Sequence, residues 1–323
     1  MKTPKFWQEK SLIAHFLLPL SFFYQIGYLF KIILQITLYQ NKKQKIKTIC
    51  IANLTLGGAG KTPVTLKVGN LLKKKGIKFS YLSKGYGGEI KNLTKLNHKH
   101  TATDVGDEAL LLKGCSDSFI CHKITSKILE QKEFSKNEFL IIDDGFQNFS
   151  WKKDLSILVV DGYYGFGNEL TFPAGPLREF IAIGVKRADI IIIINEDRKN
   201  IKKRFCKGKK LINAKLKIIN GEDFIDKDVL AFAGIGHPDK FFKSLKNSGA
   251  NIKKKFSFAD HYQYSQNDLQ RLTKLAKKHN LELVTTKKDW IRMDKKYQDK
   301  IKFLDIEVEL EGELEFSDFL STL

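Results

Sequence analysis

The chain has 323 residues, 42% hydrophobic and 28% charged, and carries a formal net charge of +20 from fifty lysines and only six arginines against 36 acids. Such a chain is long enough for two globular cores. Its positive surplus favours phosphorylated or anionic partners, yet lysine is a point charge rather than a two-pronged fork, so base-edge reading of nucleic acid is not suggested. The four cysteines (Cys50, Cys115, Cys121, Cys206) form no CxxC pair and have no histidine cluster beside them, which predicts free thiols in a reducing compartment.

Residues 11–39 are the most apolar stretch, with Lys2, Lys5 and Lys10 before it and Lys42, Lys43, Lys45 and Lys47 after it. No small-residue cleavage site follows, which argues against a signal peptide. Pro19, Gln25, Lys31 and Gln35 interrupt the run, so a helix kinked near Pro19 and lying in a membrane interface is expected in preference to a spanning one. Aromatics such as Phe16, Phe22, Phe23 and Phe30 would enter the acyl region while lysines meet an anionic membrane surface.

Thr48 to Pro63 reads TICIANLTLGGAGKTP: a strand, a glycine-rich loop and a helix start. Backbone N–H groups of Thr55, Gly57, Gly58, Ala59 and Gly60 can cradle phosphates, Lys61 can neutralise them, and the Thr62 hydroxyl can reach Mg²⁺. The strict P-loop spacing asks for glycine at position 55, where this chain has threonine. A helix is expected to run on to Gly76 and a strand to occupy Phe79 to Leu82, ending in the loop Ser83-Lys84-Gly85-Tyr86-Gly87-Gly88. Glu89 to Thr103 reads as loop. Asp104-Val105-Gly106-Asp107-Glu108 opens another helix, where acids can serve as caps or as functional groups.

Phe139 to Asp144 is an apolar run ending in two acids, the Walker B pattern that delivers carboxylates to a metal. Strands are expected at Leu155 to Val160 and Ala188 to Ile194. Between them Pro173-Ala174-Gly175-Pro176-Leu177-Arg178-Glu179 carries an arginine able to stabilise transferred charge. After a lysine-rich hinge near 197–222, with a strand at Leu211 to Ile219, strands at Val229 to Ala233, Ile252 to Phe258, Leu281 to Val284 and Ile301 to Leu310 alternate with helices at Asp239 to Lys246 and Gln266 to Lys278. That is a second α/β unit. The expected class is α/β: a P-loop NTPase-like, mostly parallel sheet flanked by helices (residues 41–220), a smaller α/β domain closing over the site (221–323) and an N-terminal membrane-associating helix (1–40).

The stretches NLTLGGAGKTP, SKGYGG, DVGDEALLL, IIDDGFQN, FGNELTFPAGPLRE, AGIGHPDKFF, FADHYQYSQNDL and TTKKDWIRM occur in that order. Together they resemble the tetraacyldisaccharide 4′-kinase family of Gram-negative bacteria. The resemblance implies transfer of the ATP γ-phosphate to the 4′-hydroxyl of tetraacyldisaccharide 1-phosphate in lipid A biosynthesis, with Mg²⁺, at the cytoplasmic face of the inner membrane. It implies Asp107 as catalytic base, His261 as its partner, Lys61 and Arg178 in catalysis, and Thr62, Asp143 and Asp144 on the metal. It also implies Lys84, Tyr86, Glu108, Gln147, Asn148 and Glu179 on the substrate side, with Arg178 and Glu179 at the rim of the site. The chain departs from the family pattern at Asn148, where histidine is usual, at Lys84, where arginine is, and at His237, where asparagine is frequent.

Three other readings are weaker. A membrane-associated switch ATPase would carry a signature lysine where Leu56 stands. A GTPase reading of Thr286-Lys287-Lys288-Asp289 lacks the accompanying Asp-x-x-Gly turn. A nucleic-acid binder lacks any helix-turn-helix, zinc or RNP signature, so no nucleic-acid partner is expected.

Overall fold

The computed structural model describes residues 4–39 and 44–323. Lys2, Lys42 and Lys43, expected to flank the apolar segment, lie outside them. The chain begins with α1 (Leu12–Phe16) and α2 (Leu18–Tyr39). The break falls at Leu17, and Pro19 sits in the first turn of α2, where its missing N–H leaves no intrahelical bond unmade. The Ser11 side chain caps α1 by accepting from Ala14 N.

Helix α2 is amphipathic in the inverse sense. Ser21, Gln25 and Tyr28, spaced on one face, are buried against the protein, while Phe22, Phe23, Phe30 and Ile33 are more than 60% exposed. Three side chains of the helix bond to the body of the protein: Ser21 Oγ donates to Thr171 O (2.9 Å) and accepts from Ala174 N (3.0 Å), Tyr24 Oη donates to Arg178 O (3.2 Å), and Gln35 Oε1 accepts from Phe149 N (3.0 Å). Leu18–Leu38 is the one candidate, among the described residues, long and apolar enough to cross a membrane.

From there the strands run β1 (Lys47–Ala52), β2 (Phe79–Ser83), β3 (Thr94–Lys95), β4 (Ser118–Ile120), β5 (Phe139–Asp143), β6 (Leu155–Asp161), β7 (Ile190–Ile194) and β8 (Lys210–Ile218). Four more, β9 (Asp228–Ala233), β10 (Asn251–Ser257), β11 (Glu282–Thr286) and β12 (Lys302–Leu304), form a separate parallel sheet in the order β10-β9-β11-β12. β13 (Ile306–Leu310) then rejoins the first sheet, whose order is β13-β8-β7-β6-β1-β5-β2-β4-β3. That sheet is parallel except at its two edge pairs, β13 with β8 and β3 with β4. β1, β2, β5, β6 and β7 are near-continuous apolar runs because helices and loops cover both their faces.

The expected closing strand of the second unit is therefore divided. Asp305 turns the chain: residues 306–310 join the first sheet and the helix Glu313–Thr322 packs on its layer, rather than both belonging to a second domain ending at 323. Apolar burial explains the return: Val308, Leu310, Phe316 and Leu320 enter the layer formed by α3 (Lys61–Lys74) and Ile212. Inside the stretch 89–103, expected as loop, the short β3 pairs with β4.

β1 lies between β5 and β6, so the loop after β1 and the acids after β5 emerge side by side at the carboxyl edge. A smaller apolar cluster around Val105, Ala109 and Ile120 takes in Ile291 from the segment after β11, bringing the second sheet against this edge.

Candidate active site

The loop after β1 has the geometry its glycines predict. Gly60 has φ +85°, a conformation that favours glycine, and a Cβ there would lie 2.5 Å from Ile194 Cδ1 and have to displace the tip of that side chain. α3 starts at Lys61, placing its N-terminus against the loop. Asn53, which the sequence pattern alone does not mark, is buried at the loop's base. Its Oδ1 accepts from Lys61 Nζ (3.1 Å) while its Nδ2 donates to Thr55 Oγ1 and Gly57 O (3.3 Å each). The PAGPLRE segment is laced to the same loop through Leu56 N to Pro176 O (2.7 Å) and Arg178 N to Leu54 O (2.8 Å), which brings the Arg178 side chain to the phosphate side.

Asp143 and Asp144 differ in partners. Asp143 ends β5 inside the protein and, among the described residues, accepts side-chain hydrogen bonds only from hydroxyls, Thr62 Oγ1 (3.4 Å) and Thr65 Oγ1 (3.3 Å). Burial, with Glu108 adding, pushes its carboxyl up to about 7. A buried carboxylate in that state, next to a helix-start hydroxyl, fits a hard cation that takes few protein ligands and keeps water and phosphate for the rest. Asp144 has φ +62° and accepts from Arg178 Nη1 at 2.8 and 2.9 Å, with Lys61 at 4.0 Å. Burial would raise it, but Lys61, Arg178 and Lys84 hold it well below the usual carboxylate range. In this arrangement Asp144 is an anchor for cationic side chains.

The expected substrate-side residues separate. Tyr86 is exposed, with its ring 6.3 Å from that of His261. Lys84 is half-buried, has no ion-pair partner among the described residues, and is lowered by burial. Glu108 pairs with Lys288 at 3.3 Å. Glu179 is fully buried, contrary to a place on the rim: it accepts from Gln147 Nε2 (3.1 Å) and pairs with Arg187, whose guanidinium stacks 4.1 Å over Phe146. Gln147 accepts from Arg178 Nη1 (3.3 Å) and donates to Asn53 O (3.2 Å). The Asn148 amide donates to Ile124 O (2.8 Å) and accepts from Ser150 N (2.9 Å), so both of its ends are taken by backbone groups.

Asp107 starts a short helix after Gly106. That glycine has φ +83°, and a Cβ on it would meet Tyr86 O at 2.4 Å, so the Tyr86 loop and the Asp107 turn pack backbone on backbone. Across from it, His261 has φ +57° and places Nδ1 3.1 Å from Asp107 Oδ2. The two residues expected as a pair therefore meet, one from each sheet. Sequence reasoning missed what surrounds them: Arg292 Nε donates to Asp107 Oδ2 (2.8 Å), and Lys288 Nζ lies 3.8 Å from the same oxygen. Burial would raise Asp107, but the His261 hydrogen bond, Lys288 and Arg292 hold it well below the usual range. Asp289, which resembled a guanine-reading residue, is instead buried on Arg292 Nη1, Tyr264 Oη and Gly234 N, each at 3.0 Å.

A strand–glycine loop–helix with a buried acid beside it, covered by a second sheet that delivers a histidine to a facing carboxylate, defines a P-loop phosphotransferase. A profile of the family described as tetraacyldisaccharide-1-P 4′-kinase, LpxK, matches residues 13–323. Relatives named tetraacyldisaccharide 4′-kinase include those of Rickettsia felis (38% identical, 95% of this chain, 93% of the relative), Rickettsia peacockii (37%, 95% and 94%) and Rickettsia canadensis (38%, 95% and 93%). A crystal structure of LpxK from Aquifex aeolicus, described as an "apo" form in complex with ATP, superposes with a TM-score of 0.77 at 26% identity, covering 96% of this chain and 99% of that one. The chain belongs to the tetraacyldisaccharide-1-P 4′-kinase family.

Proposed function

We propose that this kinase transfers the γ-phosphoryl group of ATP to the 4′-hydroxyl of tetraacyldisaccharide 1-phosphate, a lipid A precursor, and works on the cytoplasmic face of the inner membrane. N–H groups of the loop from Thr55 to Gly60 and the Lys61 ammonium hold the triphosphate. Thr62 and Asp143 hold Mg²⁺, and Asp144 keeps Arg178 aimed at the transferred group. When bound, Mg²⁺ neutralises charge on the β- and γ-phosphates. The acceptor hydroxyl forms the new P–O bond as the bond to the β-phosphate breaks. Its proton passes to Asp107, and His261 orients that carboxylate. Lys84, Tyr86 and Glu108 line the acceptor side. The outward aromatic face of α2 and the lysines Lys5, Lys10, Lys45 and Lys47 sit on anionic lipid.

The observation that carries this reading is the His261–Asp107 contact made between the two sheets of a member of this family. The test is detergent-solubilised enzyme with γ-labelled ATP, Mg²⁺ and tetraacyldisaccharide 1-phosphate. Label is expected in the lipid. ATP hydrolysis with no lipid label would indicate a switch ATPase instead.

A further inference from the structure

The part of the site least foreshadowed by the sequence is the guanidinium of Arg292. It is completely buried and spans both sheets. Nε and Nη2 donate to Oδ2 of Asp107, while Nη1 donates to Gly234 O (2.9 Å) and to Asp289 Oδ1 (3.0 Å). Asp289 is itself fixed by Tyr264 Oη, Gly234 N and the Thr286 hydroxyl. The order is carboxylate, guanidinium, carboxylate, with every member buried and hydrogen-bonded.

The two oxygens of Asp107 are used unequally. Oδ2 carries Arg292, His261 Nδ1 and the more distant Lys288. Among the described residues Oδ1 accepts only the N–H of Glu108, at 2.9 Å. One oxygen is thus tethered and the other keeps a lone pair for an incoming proton. Lysine could not reproduce the tether, since a single ammonium cannot reach Asp107, Asp289 and Gly234 together.

We propose that Arg292 is a positioning residue for phosphoryl transfer: by clamping Oδ2 of Asp107 to the second sheet it presents Oδ1 to the acceptor hydroxyl, and does so only while the two sheets are closed on each other. This rests on reading Asp107 as the proton acceptor. The charged groups facing Asp107 are Arg292 and Lys288 from the segment after β11, His261 from the loop after β10, and Glu108 on its own helix.

The experiment compares full-length Arg292→Ala, Arg292→Lys and Asp107→Asn with the wild type in the labelled-lipid assay, with melting curves taken on each. Both Arg292 variants are expected to lose about 100-fold in kcat, as a misplaced base does, with KM for ATP unchanged. The acidic limb of the pH–rate profile should move to higher pH, because a carboxylate that loses a cation protonates more readily. Guanidinium at sub-denaturing concentration should restore turnover to Arg292→Ala, while equal sodium chloride should not. If the alanine variant does not fold, Arg292→Lys carries the test through kcat, KM and the pH limb. Wild-type kcat and pH limb in a folded Arg292 variant overturns the proposal, as does a loss of activity with neither a pH shift nor guanidinium rescue. Full turnover in Asp107→Asn overturns the reading beneath it, and the proposal with it.

Discussion

Asp143 and Asp107 are both buried acids on the first sheet's side of the site, and their surroundings push them in opposite directions. Asp143 has two hydroxyl partners and no hydrogen-bonded cation, and its carboxyl is raised to about 7. Asp107 has an arginine, a histidine and a lysine on one oxygen and is held low. The first is a charge deficit, the state of a site that needs a cation from solution. The second is complete within the protein, provided the second sheet is in place. On the proposed function, one half of the chemistry is left for the nucleotide and its metal to complete, and the other half is completed by closure.

The sharpest way to break this contrast is Asp107→Asn, which keeps the shape and removes the proposed proton acceptor. Lipid phosphorylation is expected to fall about 10³-fold, with ATP binding retained when measured by equilibrium titration. Asp143→Asn is the matching change on the other side and should lower turnover at least about 100-fold, through weaker metal binding seen as a higher Mg²⁺ requirement.

Their melting curves in chelator should diverge. Asp143 has a folded value above its unfolded value near 4, so its ionisation costs stability progressively between about pH 4 and 7, and the whole cost is present above that window. Asp143→Asn is therefore expected to gain stability relative to wild type at pH 8 and not at pH 4. Asp107 has a depressed folded value. Its contribution is present above its unfolded value near 4 and is lost as pH falls through the folded one. Asp107→Asn should melt lower than wild type at pH 8, and the gap should shrink in acid.

Away from both acids, replacing Phe22, Phe23 and Phe30 with serine should weaken binding to anionic vesicles by about 10- to 150-fold per residue, from the roughly 1.5–3 kcal/mol that each aromatic contributes when buried in lipid. The melting temperature should not move, because these rings are exposed in the protein. The smallest effect is expected at a second junction between the sheets, where His237 stacks on Tyr164 with ring centroids 4.3 Å apart and Lys240 pairs with Asp161. His237→Ala should cost about 0.5–1.5 kcal/mol, read as a modest drop in melting temperature with transfer largely intact.

The sequence made the phosphate side legible because its determinants are local. Thr48 to Pro63 encodes strand, turn and helix within one short window, and the Walker B acids sit at the end of an unbroken apolar run. The Asp107–His261 pair came through the family resemblance. What stayed hidden is non-local. Arg292 finds Asp107 across 185 positions, and no periodicity announces such a pairing. The family resemblance put Glu179 at the rim, but it is buried, where Arg187 pairs with its charge and Gln147 hydrogen-bonds it. Asn148 sits in a motif otherwise concerned with function, yet both ends of its amide are taken by backbone groups, of Ile124 and Ser150. The run 301–310 read as one strand because Asp305, the single polar residue that divides it between two sheets, carries no strong turn signal.

Helix α2, polar toward the protein and apolar toward the outside, is tied through Tyr24 to the backbone of Arg178 itself. On the proposed reading this turns the search for the acceptor from three dimensions into two. An enzyme moored this way meets its lipid by lateral diffusion, already oriented, with its reactive loop at a fixed height above the bilayer plane. Its rate should then follow the mole fraction of acceptor in the surface rather than the bulk concentration, so diluting the acceptor with inert lipid should slow the reaction while diluting the vesicles in buffer should not.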